Sequence, residues 1–126
     1  MKYNRVLIID DSITSRMIIK KCLNMAGINN ADFIEADNGI KALDVLAEQN
    51  IDLIITDIIM PKLNGTNLIK RIQIKDKMKN IPVIIISSIG HDEMEWEINH
   101  EKIIGIIKKP LTVVKLVQVL GEMNEI

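Results

Sequence analysis

Aromatic side chains are almost missing from this chain of 126 residues, which holds one Tyr, one Phe and one Trp: Tyr3, Phe33 and Trp96. That leaves little with which to stack the ring of a flavin. Cysteine is equally scarce. The lone Cys22 excludes an internal disulfide, and two His beside one Cys do not make a structural zinc site. Long apolar runs are lacking too: Ile81 to Ile86 falls far short of the ~20 residues a membrane crossing needs. Neither sign of charge dominates. Sixteen Lys and Arg face seventeen Asp and Glu with no basic block, which argues against a nucleic-acid binder. Met1 leads straight into a charged stretch, from which no signal peptide is expected.

What is present is aliphatic. Hydrophobic residues make up 48% of the chain, so it is not a disordered segment, and its length is enough to bury roughly two-thirds of the unfolded surface. The expectation is a single cytoplasmic domain over residues 1–126, with a core about 3–121, no membrane insertion, no nucleic acid and a monomeric state.

Five short runs carry the β signal: Arg5 to Ile9, Ala31 to Glu35, Asp52 to Thr56, Val83 to Ile86 and Ile103 to Ile107. Four are β-branched and unbroken, as strands buried on both faces are; the more polar second suits an edge. Between them the period becomes helical. Ile18, Cys22 and Met25 share one face of a first helix, Ile19, Leu23 and Ala26 the neighbouring one, with Gly27 as a C-terminal cap. Ile40, Leu43 and Ala47 line a second, capped by Asp37 or Asn38. Leu68 and Ile72 mark a third, and Met94 and Ile98 a weak, acidic fourth. Val113, Leu116, Val117 and Leu120 mark the last, before a frayed end at Met123 to Ile126. Strict β-α alternation predicts an α/β doubly wound parallel sheet with helices on both faces. Strand order is not visible in this pattern.

In open parallel sheets, ligands bind beyond the carboxyl ends of the strands. Here those ends lead into Asp10-Asp11-Ser12, Thr56-Asp57, Ser87-Ser88 and Lys108-Lys109-Pro110. One carboxylate at a strand end is as readily a helix N-cap, and a Lys-Lys-Pro is as readily a solvated strand end. Three carboxylates on one rim repel unless a cation joins them. Three with one Lys leave −2, which Mg²⁺ neutralises; it is a hard cation that accepts few carboxylates, keeps waters and takes phosphate oxygens. Pro61 enforces a turn after Asp57, and Gly65 suits close backbone approach or a positive φ. Lys109 precedes Pro110, which biases its backbone to the extended region and opens a cis bond. Lys108 and Lys109 point to opposite faces, so at most one belongs to the site.

Asp10-Asp11, Asp57 with Met60-Pro61 and Gly65, Ser87, and Lys109-Pro110 together resemble the signature of receiver domains of two-component response regulators, above all the stand-alone chemotaxis receivers. The resemblance runs from Tyr3 to Gly121. It implies a flavodoxin-like five-stranded sheet in order 2-1-3-4-5 with five helices. It also implies that Asp57 takes a phosphoryl group from a sensor histidine kinase. Asp10, Asp11, Asp57 and the Ile59 carbonyl would hold Mg²⁺, while Lys109 and Ser87 would bind phosphoryl oxygens. The chain would then be no enzyme beyond its own aspartyl phosphorylation and dephosphorylation. Its output would be contact with a downstream protein target, the flagellar motor or another signalling component, because no output module follows the last helix.

The chain departs from the family in strand five, where Ile106 replaces the aromatic that swings between buried and exposed positions; it reads as one more core residue. Before that strand, Glu101-Lys102-Ile103 stands in place of an Ala-Gly-Ala-like turn. Trp96 reads as partly buried under the fourth helix, and His91 as a solvated loop residue. Ile59 and Ile89, two residues beyond Asp57 and Ser87, flank the path of the hydrolytic water, which predicts slow self-dephosphorylation. Other readings stay open. A phosphorelay intermediate or phosphate sink, or a receiver-like scaffold that no longer switches, would share these residues. A haloacid-dehalogenase-like phosphohydrolase needs two Asp separated by one residue, which Asp10-Asp11-Ser12-Ile13-Thr14 lacks. A flavodoxin-like binder needs a hydroxyl- or Gly-rich loop where this chain is doubly acidic.

Overall fold

The computed structural model describes residues 3–60, 62–88 and 101–124. The β-branched runs form five parallel strands, β1 (Arg5–Ile9), β2 (Asp32–Ala36), β3 (Leu53–Thr56), β4 (Val83–Ser87) and β5 (Ile103–Lys108). Their order is β2-β1-β3-β4-β5, with the polar β2 at one edge as its composition predicts. Four helices lie among the described residues: α1 (Ile13–Met25), α2 (Gly39–Glu48), α3 (Gly65–Gln73) and α4 (Val113–Asn124). The helix expected around Met94 and Ile98, with Ile89, His91 and Trp96, lies outside the described residues, as does Pro61. The last helix continues through Met123 and Asn124 rather than fraying there.

Alternation along the strands splits the core in two. Leu7 and Ile9 point to the face covered by α2 and α3, where Ala42, Leu46, Leu68, Ile69 and Ile72 are buried. Val6 and Ile8 point to the opposite face, against Ile19, Cys22 and Leu23 of α1 and Leu116 and Leu120 of α4. Two apolar layers on a sheet whose inner strands are buried at every position but Arg5 give the doubly wound architecture its stability, since apolar burial is the dominant favourable contribution to folding. β5 is the second edge strand, and most of its residues are only partly buried. Ile106 is one of these, packed beside the α2–α3 layer.

The helices are where the sequence pattern misleads. In α1 the buried stripe is Ile19, Cys22, Leu23 and Ala26, while Ile18 and Met25 are 47% and 66% exposed. In α2 the buried positions are Gly39, Ala42 and Leu46; Ile40 and Ala47 face solvent. In α4, Leu116 and Leu120 are fully buried but Val117 is exposed. Apolar residues outnumber the positions that each helix can turn inward, so periodicity offered two stripes where the sheet takes one. The ends are as expected. Gly27, at φ 105°, follows the α1 C-cap, and the Ile28 N–H returns to the Leu23 carbonyl at 2.9 Å while the Gly27 N–H reaches Asn24 at 3.2 Å, a Schellman closure. Asn38, not Asp37, caps α2: its Oδ1 accepts from the Lys41 N–H at 3.0 Å.

This assignment of faces has a direct check. Leu23→Ala removes a side chain buried on every side and is expected to cost about 2–5 kcal/mol in urea unfolding. Met25→Ala, two positions on, is expected to stay within about 0.5 kcal/mol of the unmodified chain. Equal losses would mean the α1 stripe is turned the wrong way.

Candidate functional site

Parallel pairing brings the chemical residues to one edge. Ile9 lies beside Ala36 and Thr56, and Ser87 beside Lys108. The ladder then runs one residue past each strand. The Asp10 N–H donates to the Ala36 carbonyl at 3.1 Å, the Asp57 N–H to Ile9 at 2.9 Å and the Lys109 N–H to Ser87 at 2.7 Å. Asp10, Asp57 and Lys109 are thus backbone-fixed before any side chain makes contact.

Their side chains meet. Lys109 Nζ donates to Asp10 Oδ2 at 3.3 Å and to Asp57 Oδ2 at 3.2 Å. Asp10 Oδ1 accepts from the Ser12 N–H at 2.9 Å, and Asp57 Oδ1 from the Ile58 N–H at 2.7 Å. Asp11 completes the group: oxygens of Asp10, Asp11 and Asp57 lie within 4.8 Å of one another. Asp10 is 1% exposed and Asp57 7%, whereas Asp11 is open to solvent. The N-cap role open to Asp11 falls to Ser12, whose Oγ accepts from the Ser15 N–H at 3.2 Å.

Burial pushes the Asp10 carboxyl up, against the Ser12 N–H and the Lys109 ammonium, which lower it. Burial lowers Lys109, but the hydrogen bond to Asp57 and the charges of Asp57 and Asp10 outweigh it and push the ammonium up. One ammonium therefore serves two buried carboxylates and leaves the third beside them. A donor set made only of carboxylate oxygens, with surplus negative charge, suits a hard divalent cation.

The loop after β3 is built tightly. The Gly65 N–H donates to the Ile58 carbonyl at 2.7 Å. A Cβ on Gly65 would meet Ile58 Cα at 2.7 Å and the Asp57 carbonyl oxygen closer still, so close approach is what this glycine supplies. The positive φ in the loop belongs to Lys62, at 66°. Ser87 is fully buried at the end of β4, and Ile59 is 58% exposed two residues beyond Asp57. Lys108 is exposed and Lys109 turns into the site, as alternation predicts; the Lys109–Pro110 bond is cis. Nothing in the amino-acid order singles out Arg16, whose Nη1 donates to the Asp10 carbonyl oxygen at 2.7 Å. Six residues on from Asp10, an arginine there looks like any solvated helix residue.

Residues 6–121 match the sequence profile of the response regulator receiver domain. Chemotaxis protein CheY-3 of Vibrio cholerae is 35% identical over 124 residues, 98% of this chain and 94% of that one. The structure is similar to that of chemotaxis response regulator CheY4 of Vibrio cholerae, with TM-score 0.81 and 26% identity over 96% of this chain and 98% of that one. It also shares its fold with the receiver domain of sensor histidine kinase PA1611 of Pseudomonas aeruginosa, with TM-score 0.76 and 19% identity over 96% and 97% of the two chains. That protein has a magnesium ion coordinated in its active-site cleft.

The raised Asp10 carboxyl fixes a sign. Its contribution to stability is full below the carboxyl's unfolded value and is lost as pH rises through the higher folded value. At neutral pH without divalent cations the ionised group is a net cost. Asp10→Asn keeps an oxygen for the Ser12 N–H and removes the charge, so in chelator at pH 7 it is expected to raise the melting temperature by a few degrees. That gain should shrink toward pH 4. A lower melting temperature for the variant at pH 7 would contradict the assignment.

Proposed function

We propose that this chain, which belongs to the response regulator receiver domain family, is a single-domain response regulator whose Asp57 accepts a phosphoryl group from a histidine kinase. The observation that carries this reading is the Lys109 ammonium shared between Asp10 and Asp57, with Asp11 alongside. Asp57 Oδ attacks the phosphorus of a phosphohistidine; the new P–O bond forms as the P–N bond breaks, and the imidazole leaves. Little covalent chemistry falls to the protein, so positioning and charge neutralisation dominate. Lys109 stays with the phosphoryl oxygens, and Ser87, at the end of the neighbouring strand, supplies a hydroxyl to one of them.

Asp10, Asp11 and Asp57, with the Ile59 carbonyl, would hold Mg²⁺. When bound, the ion neutralises charge on the transferring group. The all-oxygen donor set and its surplus charge support the assignment. Phosphorylation takes Asp57 from −1 to about −2 and adds acceptor oxygens, a local electrostatic change that a two-state surface relays to a protein partner. Kinship with chemotaxis proteins supports a chemotaxis-type output, a motor or another signalling component.

Ile106 favours a second reading, a phosphorelay intermediate or phosphate sink. It is a partly buried aliphatic residue on β5 and cannot swing a ring between two positions. Partner affinity unchanged by phosphorylation would select the sink.

Incubation with acetyl phosphate and Mg²⁺, followed by intact-protein mass spectrometry, should add one phosphoryl group to the chain and none to Asp57→Asn. Lys109→Ala should slow the reaction by roughly 100-fold. After donor removal the phosphoryl group should persist well beyond seconds, because the apolar Ile59 side chain cannot orient the hydrolytic water. Phosphorylation of Asp57→Asn at the native rate would overturn the proposal.

A further inference from the structure

Arg16 is 12% exposed in its side chain although its charge is permanent, and it is shared between one peptide carbonyl and one carboxylate. Its Nη1 donates to the Asp10 carbonyl oxygen at 2.7 Å and its Nε to Glu35 Oε1 at 2.8 Å. Lys20 Nζ holds the other Glu35 oxygen at 3.0 Å. Glu35 stands on β2 beside Ile8 of β1, so the guanidinium is braced against the edge strand. With Arg16 in place, every polar atom of Asp10 is held. Its N–H goes to Ala36 at 3.1 Å, its carbonyl to Arg16, Oδ1 to the Ser12 N–H and Oδ2 to Lys109.

The two things Arg16 can do to a divalent cation have opposite signs. Through space, a guanidinium repels it. Through the hydrogen bond to the Asp10 carbonyl, it fixes the turn that carries both Asp10 and Asp11 and so holds two carboxylates at the separation a single ion needs. We propose that Arg16 is a positioning residue for the divalent-cation site and that Glu35, with Lys20 behind it, keeps the guanidinium aimed and neutralised. This rests on the reading of the acidic cluster as a Mg²⁺ site. Outer groups that orient ligands in this way commonly set metal affinity by 10–100-fold.

The test is calorimetric titration of the unphosphorylated full chain with Mg²⁺ alone, paired with urea unfolding in chelator. Arg16→Ala should weaken Mg²⁺ binding by about 10-fold or more. A folded Arg16→Ala that binds Mg²⁺ as tightly as the native chain, or tighter as loss of a repelling charge demands, overturns the proposal. Should Arg16→Ala fail to fold, Arg16→Lys decides. It keeps the charge but not the planar fork that reaches Asp10 and Glu35 together, so several-fold weaker binding is expected and unchanged binding overturns the proposal. A purely structural role would lower the urea midpoint and leave the Mg²⁺ affinity alone. A native chain that takes up no Mg²⁺ overturns the site assignment itself, whereas native binding with unaltered variants overturns only the role of Arg16.

Discussion

A single ammonium between two buried carboxylates is the constraint on which the rest of this structure turns. Lys109 reaches Asp10 and Asp57 together because β1, β3 and β5 end at one edge and each strand's ladder extends one residue into the site. None of the three could be moved alone. A register slip of one residue in a parallel strand would send its terminal side chain to the opposite face of the sheet. The apolar layers on both faces fix that register, and through it the separation of the charges.

The arrangement is costly in isolation. Asp10 is almost wholly buried and its carboxyl is pushed up, which says that the folded chain resists ionising it. Lys109 relieves part of that cost but leaves one negative charge over, and the third carboxylate, Asp11, deepens that surplus. A site left in this state is poised to gain from an incoming cation and then from a group whose charge that cation neutralises. The strain of like charges is the property on which the proposed phosphoryl response would draw.

Much of this was legible in the amino-acid order. Four strands of Ile, Leu and Val with little polar interruption announce a sheet buried on both faces, the polar β2 announces an edge, and all five appear within a residue or so of the expected positions. Strand ends followed by Asp, Asp and Lys announce where charge gathers. The helix faces were less legible. Ile18, Met25, Ile40 and Val117 carry apolar side chains to solvent, and no periodicity separates them from the buried stripe beside them. Arg16 was not legible at all. Its role comes from a contact to a backbone carbonyl, and a carbonyl has no residue identity to read. Gly65 was half legible: the need for a glycine showed in the sequence, but whether it served close approach or a positive φ depended on the chain around it, and the positive φ went to Lys62.

The central claim is that this cluster binds a phosphoryl group only together with a divalent cation. Fluorine NMR of the chain with beryllofluoride, a mimic of the acyl phosphate, tests it most directly. Bound resonances should appear when Mg²⁺ is added, vanish with chelator, and be missing from Asp57→Asn under any condition. Bound resonances that ignore Mg²⁺, or that survive the loss of the Asp57 carboxylate, would contradict the account.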